Sequence, residues 1–307
     1  MSARVLPWAL LLALALFPLV APAFDLDYYV GFVRHLLIVM IAATSLNFIL
    51  GYGGMVALGH AGFIGVGAYT VVALVDAGFT SAWGAWAAAG VVSAVFAAAI
   101  GAVSLRTRGV YFLMITLAFA QMLYYLFVAL KYYGGEDGLA MATRNRLAGE
   151  RIVDPQTFYF VCLTLLGAVM LLVARITGSR FGMVLAGAKA SERRMAALGF
   201  SVTRYRLAAF VIAGMIAGLA GALWANQARF VSPDMMAWTK SGEFMVMVIL
   251  GGLSSIVGPV VGAAAFILIE STISGWTEHW QMVFGPIVVM IALFAPEVPG
   301  VYEGVIE

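Results

Sequence analysis

The sequence is short of charge. Only 10% of its 307 residues are Asp, Glu, Lys or Arg, against about 25% in an average soluble domain. Hydrophobic residues make up 64%, and mean hydropathy is +1.02. So few charges cannot cover a water-exposed surface of that size. Soluble-enzyme, nucleic-acid-binding and disordered readings of the whole chain are therefore excluded. A single cysteine, Cys162, excludes an intrachain disulfide and a cysteine metal cluster. Apolar runs replace the alternating strands of a transmembrane barrel, which excludes that class too. Acids in the middle of apolar runs are nearly absent, which counts against a proton relay. There is no Walker lysine after the glycine-rich stretch and no His-Glu-x-x-His pair. No catalytic residue and no metal ligand is predicted, and the chain does not read as an enzyme.

What is present is a series of runs long enough to cross the bilayer core, which takes about 20 apolar residues. They lie near 5–20, 31–50, 61–75, 83–103, 110–130, 158–174, 207–226, 244–270 and 279–295. The predicted class is all-α: a polytopic helical membrane protein of about nine spans (eight to ten), forming one transmembrane domain over 1–307. The 244–270 run is interrupted by Gly251-Gly252 and Gly258-Pro259. It reads as one bent helix, two short helices or a re-entrant segment. The first run ends at Ala21-Pro22-Ala23, which resembles a signal peptidase site. Retention as a first span is expected, because everything downstream is also membrane-embedded.

Net charge is +2, unevenly placed. Residues 175–206 hold seven basic residues (Arg175, Arg180, Lys189, Arg193, Arg194, Arg204 and Arg206) against the single acid Glu192, a local excess of six. Such a segment marks the cytoplasmic side. Arg106 and Arg108 place the 104–109 link on the same side, and the two spans between these links agree with that parity. Counting back predicts a cytoplasmic N-terminus. The 131–157 loop then lies outside, with four basic and four acidic residues. Large loops on both faces suggest partners on both faces.

The segment from Gly51 to Tyr69 has seven glycines in its first 17 residues. Glycine permits close helix packing and unusual backbone angles. The segment reads as tight packing around a turn, as non-helical backbone lining a solute path, or as both. Asn47, His60, Tyr69 and Gln121 are the candidate pathway residues. Asn47 must find a hydrogen bond within an apolar helix, so interhelical bonding competes with a ligand role. His60 also reads as a cap on a helix start. Thr116 can bond back to its own helix, which leaves Gln121 as the better path candidate on that span. Glu270 ends an apolar run and is expected at the membrane interface.

Several blocks resemble the branched-chain amino acid ABC-transporter permeases of the LivM/LivH type, and the LivM branch in particular. They are Asn47 to Tyr69, Leu105-Arg-Thr-Arg-Gly-Val-Tyr111 with Thr116-Leu-Ala-Phe119, Gly134-Gly-Glu-Asp-Gly-Leu139, Phe181-Gly182 through Leu198-Gly199, Ala213 to Leu223, Gly251-Gly252-Leu253…Gly258-Pro259…Gly262, and Trp276-Thr-Glu-His-Trp280. The resemblance covers about residues 31–296. It implies a permease subunit in the inner membrane that moves branched-chain or related amino acids inward by alternating access. It further implies a second permease subunit of the LivH type, two cytoplasmic ATP-binding subunits that hydrolyse the ATP, and a periplasmic binding protein. No cofactor is expected in this chain. On that reading, 175–206 is the loop that couples to the ATPases, with Gly182, Glu192, Arg193, Arg194 and Gly199 as its marks. A docking helix between Gly182 and Gly199 would offer Glu192 and the basic residues as charged contacts, and Val184, Leu185, Met195 and Leu198 to a groove. Family members often have Ala-Ala where this chain has Arg193-Arg194. Gly135, Asp137 and Gly138 mark the external turn. A self-contained secondary transporter or channel is the alternative.

Overall fold

The computed structural model describes residues 10–18, 27–141, 143–147, 150–151 and 155–275, with 282, 285 and 286 as isolated positions. The run expected at 279–295, the Trp276–Trp280 block and Ala21-Pro22-Ala23 lie outside the described residues. Within them the chain is helical almost throughout. Helix α1 covers residues 10–18. It is followed by α2 Asp27–Asn47, α3 His60–Asp76, α4 Ala82–Ser104, α5 Val110–Ala129, α6 Pro155–Thr177, α7 Arg180–Ala190, α8 Glu192–Ala197, α9 Val202–Ala228, α10 Trp238–Gly251 and α11 Gly258–Ser274. The strands are two-residue pieces: β1 Leu139–Ala140 pairs antiparallel with β4 Phe230–Val231, and β2 Arg146–Leu147 with β3 Glu150–Arg151.

Among the described residues five helices are long and apolar enough to cross a membrane: Tyr29–Tyr52, Ala82–Ser104, Val110–Ala129, Gln156–Thr177 and Val202–Ala228. At 1.5 Å per residue their 20 to 27 residues reach about 30–40 Å, enough for a bilayer core of about 30 Å. Helices α3 and α11 are apolar but shorter. The chain is an all-α polytopic membrane protein.

The bundle has two distinct ends. At one, Arg108 of the 105–109 link forms an ion pair with Glu192 of α8. The two basic segments therefore meet, as the parity of the intervening spans requires. At the other end lie the β1–β4 ribbon and the α3–α4 turn, where the Arg146 amide donates to the Thr80 carbonyl. Helix α1 runs against α6: the Tyr159 hydroxyl donates to the Leu14 carbonyl at 2.7 Å, and Leu11 lies beside Gly167.

Helix α2 is the axis. From Leu36 to Leu50 every residue is buried, and α6, α9, α10 and α11 pack around it. A fully buried span has no polar face to orient it, which is why it reads as hydrophobic all round. Helices α3, α4 and α9 pack backbone to backbone. A side chain at Gly67 would meet the Gly218 carbonyl, and one at Gly221 the Ile64 carbonyl. Ser93 bridges α4 to α3 by donating to the Phe63 carbonyl at 3.1 Å. Among lipid tails burial of apolar surface gives no driving force, so close van der Waals contact at small residues holds such helices together.

The 244–270 run resolves into two antiparallel helices, α10 and α11, joined at 252–257. A side chain at Gly251 would strike Gly258, and one at Gly262 the Met247 carbonyl. Helix α10 starts at Trp238, several residues before the apolar run, because its polar residues are matched internally. Lys240 pairs with Glu243 at 2.7 Å, and the Ser241 hydroxyl accepts from the Ala61 amide. Between β4 and α10 the chain dips inward, and Met236 is fully buried against α3 at Gly65.

Candidate functional site

The glycine-rich segment combines both expected behaviours. Helix α2 ends in a π-helical turn, Phe48–Tyr52. Residues 53–59 then run without helix until α3 starts at His60. Glycines in the segment also admit neighbours: a side chain at Gly59 would lie 2.6 Å from the Thr116 carbonyl. Unwound backbone at membrane depth is tolerated only where protein or a cavity surrounds it. Here the Thr116 hydroxyl accepts from the Leu58 amide and donates to the Leu113 carbonyl of its own helix.

His60 does not cap the start of α3. Its ring crosses to α2, with Nε2 2.7 Å from the Ser45 hydroxyl. Ser45 gives its one proton to the Ala42 carbonyl at 2.7 Å, so it accepts from His60. That places the ring hydrogen on Nε2 and leaves Nδ1 a bare acceptor. His60 is fully buried, and Nδ1 has no partner among the described residues.

Asn47 is also fully buried, and both ends of its amide are occupied. Nδ2 donates to the Ser255 carbonyl at 2.8 Å, and Oδ1 accepts from the Ser254 amide at 3.2 Å. Asn47 therefore ties α2 to the α10–α11 turn. Tyr69 is buried, its ring 4.4 Å from that of Phe127, and its hydroxyl has no partner among the described residues. Gln121 is half-buried on α5. It flanks an exposed stripe of Tyr111, Met114, Met122 and Tyr125 on a span that the rest of the bundle covers least. The four candidates take different neighbours: Asn47 the α10–α11 turn, His60 the Ser45 hydroxyl of α2 and Tyr69 the Phe127 ring of α5, the helix that carries Gln121.

At the basic end the expected single docking helix is two helices. The chain breaks at Ser191, whose extended backbone ends α7 and whose hydroxyl accepts from the Arg194 amide to cap α8. Gly182 sits in the tight α6–α7 corner, where a side chain would strike Thr177. Gly199, at φ +87°, ends α8 in a Schellman turn, with the Phe200 amide bonded to the Met195 carbonyl and the Gly199 amide to the Ala196 carbonyl. Glu192 is not free for a partner. Its two oxygens take Arg108 and Arg206, each at 2.9 Å. Val184 and Leu185 face the bundle, and Met195 lies against Gly187. What the surface presents is Met183, Leu198 and Phe200 with Arg193 and Arg194 beside them.

At the opposite end, the Lys131–Tyr133 and Gly135–Asp137 turns are single 3₁₀ turns. Gly134, Gly135 and Gly138 have positive φ, and Gly138 packs beneath β4. Glu136 and Asp137 are exposed. The Tyr132 hydroxyl donates to Asp76 at 2.6 Å, fastening the loop to α3. Sequence reasoning passed over Ser45, Ser241 and Ser254 and did not single out Lys189. Serine carries little hydropathy signal, and one lysine in a basic segment does not stand out.

The family model for the permease component of branched-chain amino acid transport systems matches residues 28–293. Two relatives are high-affinity branched-chain amino acid transport system permease proteins LivM. The one from Salmonella typhimurium is 26% identical over 285 residues, covering 85% of this chain and 67% of the relative. The one from Escherichia coli is 25% identical over the same length and the same shares. No solved structure matches the chain. The chain belongs to the branched-chain amino acid transport permease family.

Proposed function

We propose that this member of the family is the transmembrane permease subunit of an ATP-binding-cassette importer for branched-chain or related amino acids. The observation that carries the reading is the family match over residues 28–293, which includes every described membrane helix from α2 onward. Partners supply what the chain lacks. Two ATP-binding subunits engage the basic end through Met183, Leu198 and Phe200, with Arg193 and Arg194 as charged flanks. A rigid seat of this kind transmits ATPase closure as a rigid-body movement. A second permease chain of the LivH type pairs with this one, and the exposed stripe of α5 beside Gln121 borders the shared path. A periplasmic binding protein delivers substrate to the end carrying Glu136 and Asp137. The excess of arginine and lysine at the α7–α8 end supports a cytoplasmic location for that end. The contacts of Leu14 with Tyr159 and of Leu11 with Gly167 support an α1 antiparallel to α6 and hence a cytoplasmic N-terminal side, and the family match supports a bacterial inner membrane.

The test is to tag the chain, solubilise it gently, identify what co-purifies, and reconstitute the assembly in liposomes. Two ATP-binding proteins and a second permease, with ATP-dependent uptake of leucine, isoleucine or valine, are expected. Solute movement by the lone chain without ATP would overturn the reading in favour of a secondary transporter or channel.

A further inference from the structure

Three elements far apart in sequence meet at one backbone carbonyl. The π-turn that ends α2 leaves the Gly51 carbonyl without an intrahelical donor. It accepts the Lys189 ammonium from α7 at 2.7 Å and the Ser254 hydroxyl from the α10–α11 turn at 2.8 Å. Lys189 Nζ also reaches Ser254 Oγ at 3.5 Å. The lysine stem crosses Gly54, at φ +64°, where an added side chain would lie 2.9 Å from Lys189 Cγ. Ser254 itself has φ +60°, an uncommon backbone angle for a residue other than glycine. Asn47 fixes the same turn from the other side.

A cation at a helix C-terminus is favourably placed, because unpaired carbonyls gather negative partial charge there. Lys189 bears that cation on the last turn of α7, the helix nearest the α8 surface. No acid pairs with it among the described residues; its hydrogen bonds go to the Gly51 carbonyl and Ser254. Partial burial pushes its ammonium below the ordinary lysine range, and the site holds the charge through neutral acceptors. Such a contact is directional and is lost if α7 moves by a hydrogen-bond length.

We infer that Lys189 is a positioning residue for energy coupling: its ammonium clamps α7 to the end of the central helix α2 and to the α10–α11 turn, so that movement of α7–α8 is delivered to the bundle axis. The inference rests on the proposed docking of ATPases at α7–α8 and names the route by which that docking acts. Glu192 and Arg206 join α8 to α9, whereas the Lys189 ammonium carries a hydrogen bond from α7 to the end of α2. Since α2 touches α6, α9, α10 and α11, displacing its end moves the packing partners of the whole axis.

The test uses the full assembly in liposomes, comparing ATP hydrolysed with amino acid taken up. Lys189→Met keeps the stem over Gly54 and removes the charge. Its expected signature is co-purification of the ATPases as in wild type, with about a tenfold rise in ATP consumed per solute moved, the scale of one charge-assisted hydrogen bond. Lys189→Arg, which can still donate to the Gly51 carbonyl, should restore most of the coupling. Ser254→Gly relaxes the backbone and removes the second donor; combined with Lys189→Met it should add little, since both act through one carbonyl. A wild-type ratio in Lys189→Met, with ATPases bound, would overturn the clamp while leaving the importer reading intact. Loss of folded Lys189→Met and Lys189→Arg alike would also overturn it, by making the lysine a folding requirement. Absence of ATPases from the wild-type preparation would instead sink the reading on which the clamp depends.

Discussion

Arg108 and Glu192 stand 2.9 Å apart, joining the link between α4 and α5 to the short helix α8. The pair closes the basic end of the bundle, and the second Glu192 oxygen carries the contact on to Arg206 of α9. One carboxylate thus holds three segments, and the two arginines contribute unequally. Arg108 is 71% exposed and Arg206 only 20%.

That inequality predicts an ordered series. Arg108→Ala should change stability by no more than about 0.5 kcal/mol, since exposed pairs are screened by solvent. Glu192→Ala should cost about 1–3 kcal/mol, because Arg206 then keeps a largely buried charge without its carboxylate. Thermal unfolding in detergent measures both. Equal effects would show that the Arg206 pair adds nothing beyond the Arg108 pair.

Close packing of α4 against α9 predicts that Gly218→Leu prevents folding. The displaced neighbours are the Ser93 side chain and the Ala89 carbonyl, and ordinary overpacking already costs about 1–3 kcal/mol. Gly242→Ala is the control: nothing lies within 4 Å of its added carbon, and it should stabilise α10 by up to about 1 kcal/mol. Yield of monodisperse protein from membranes separates the two.

His60 and Ser45 predict a dependence in one direction. Ser45→Ala removes the acceptor for the ring Nε2–H and strands a buried donor, at about 1–3 kcal/mol. His60→Phe removes donor and bare acceptor together and should cost less than Ser45→Ala does. A double-mutant cycle by thermal unfolding checks the ranking; a costlier His60→Phe would give the unpartnered Nδ1 a role of its own.

The docking surface predicts a split between neighbouring residues of α7 and α8. Met183→Glu and Leu198→Glu change exposed side chains and should leave the chain folded while abolishing co-purification of ATP-binding subunits. Leu185→Glu buries a charge and should lose the folded protein itself. Retention of the ATPases in both surface variants would place their seat elsewhere.

How much of this was legible in the sequence differs from residue to residue. Helix α4 is legible to within a residue or two, because its residues from Ala82 to Val103 carry no charge and Ser93 alone among them is polar. The start of α10 was missed, because Lys240 and Glu243 look like a loop until their pairing is seen. Thr116 was read correctly as bonding to its own helix, a contact three residues away that spacing alone foresees. For Asn47 the sequence favours interhelical bonding over a ligand role but cannot name the partners, because the groups that take its amide lie 207 and 208 residues further on. Glu192 reads as a free contact in the sequence because Arg206 lies 14 residues on, in another helix, and Arg108 on the link before α5.

The sequence by itself determined that the chain is a helical membrane protein, which segments carry its positive charge, and that a broken run occurs near Gly251 to Pro259. These are sums over neighbouring residues, and the transfer of each apolar side chain into lipid depends little on what the rest of the chain does. Tertiary structure decided which polar groups are spent on one another: Asn47 on the α10–α11 turn, His60 on Ser45, Glu192 on two arginines, and Lys189 on the end of α2. A hydrogen bond needs its partner within about 3 Å and aligned. That condition is met only when helices far apart in sequence are packed side by side, so no local pattern contains it.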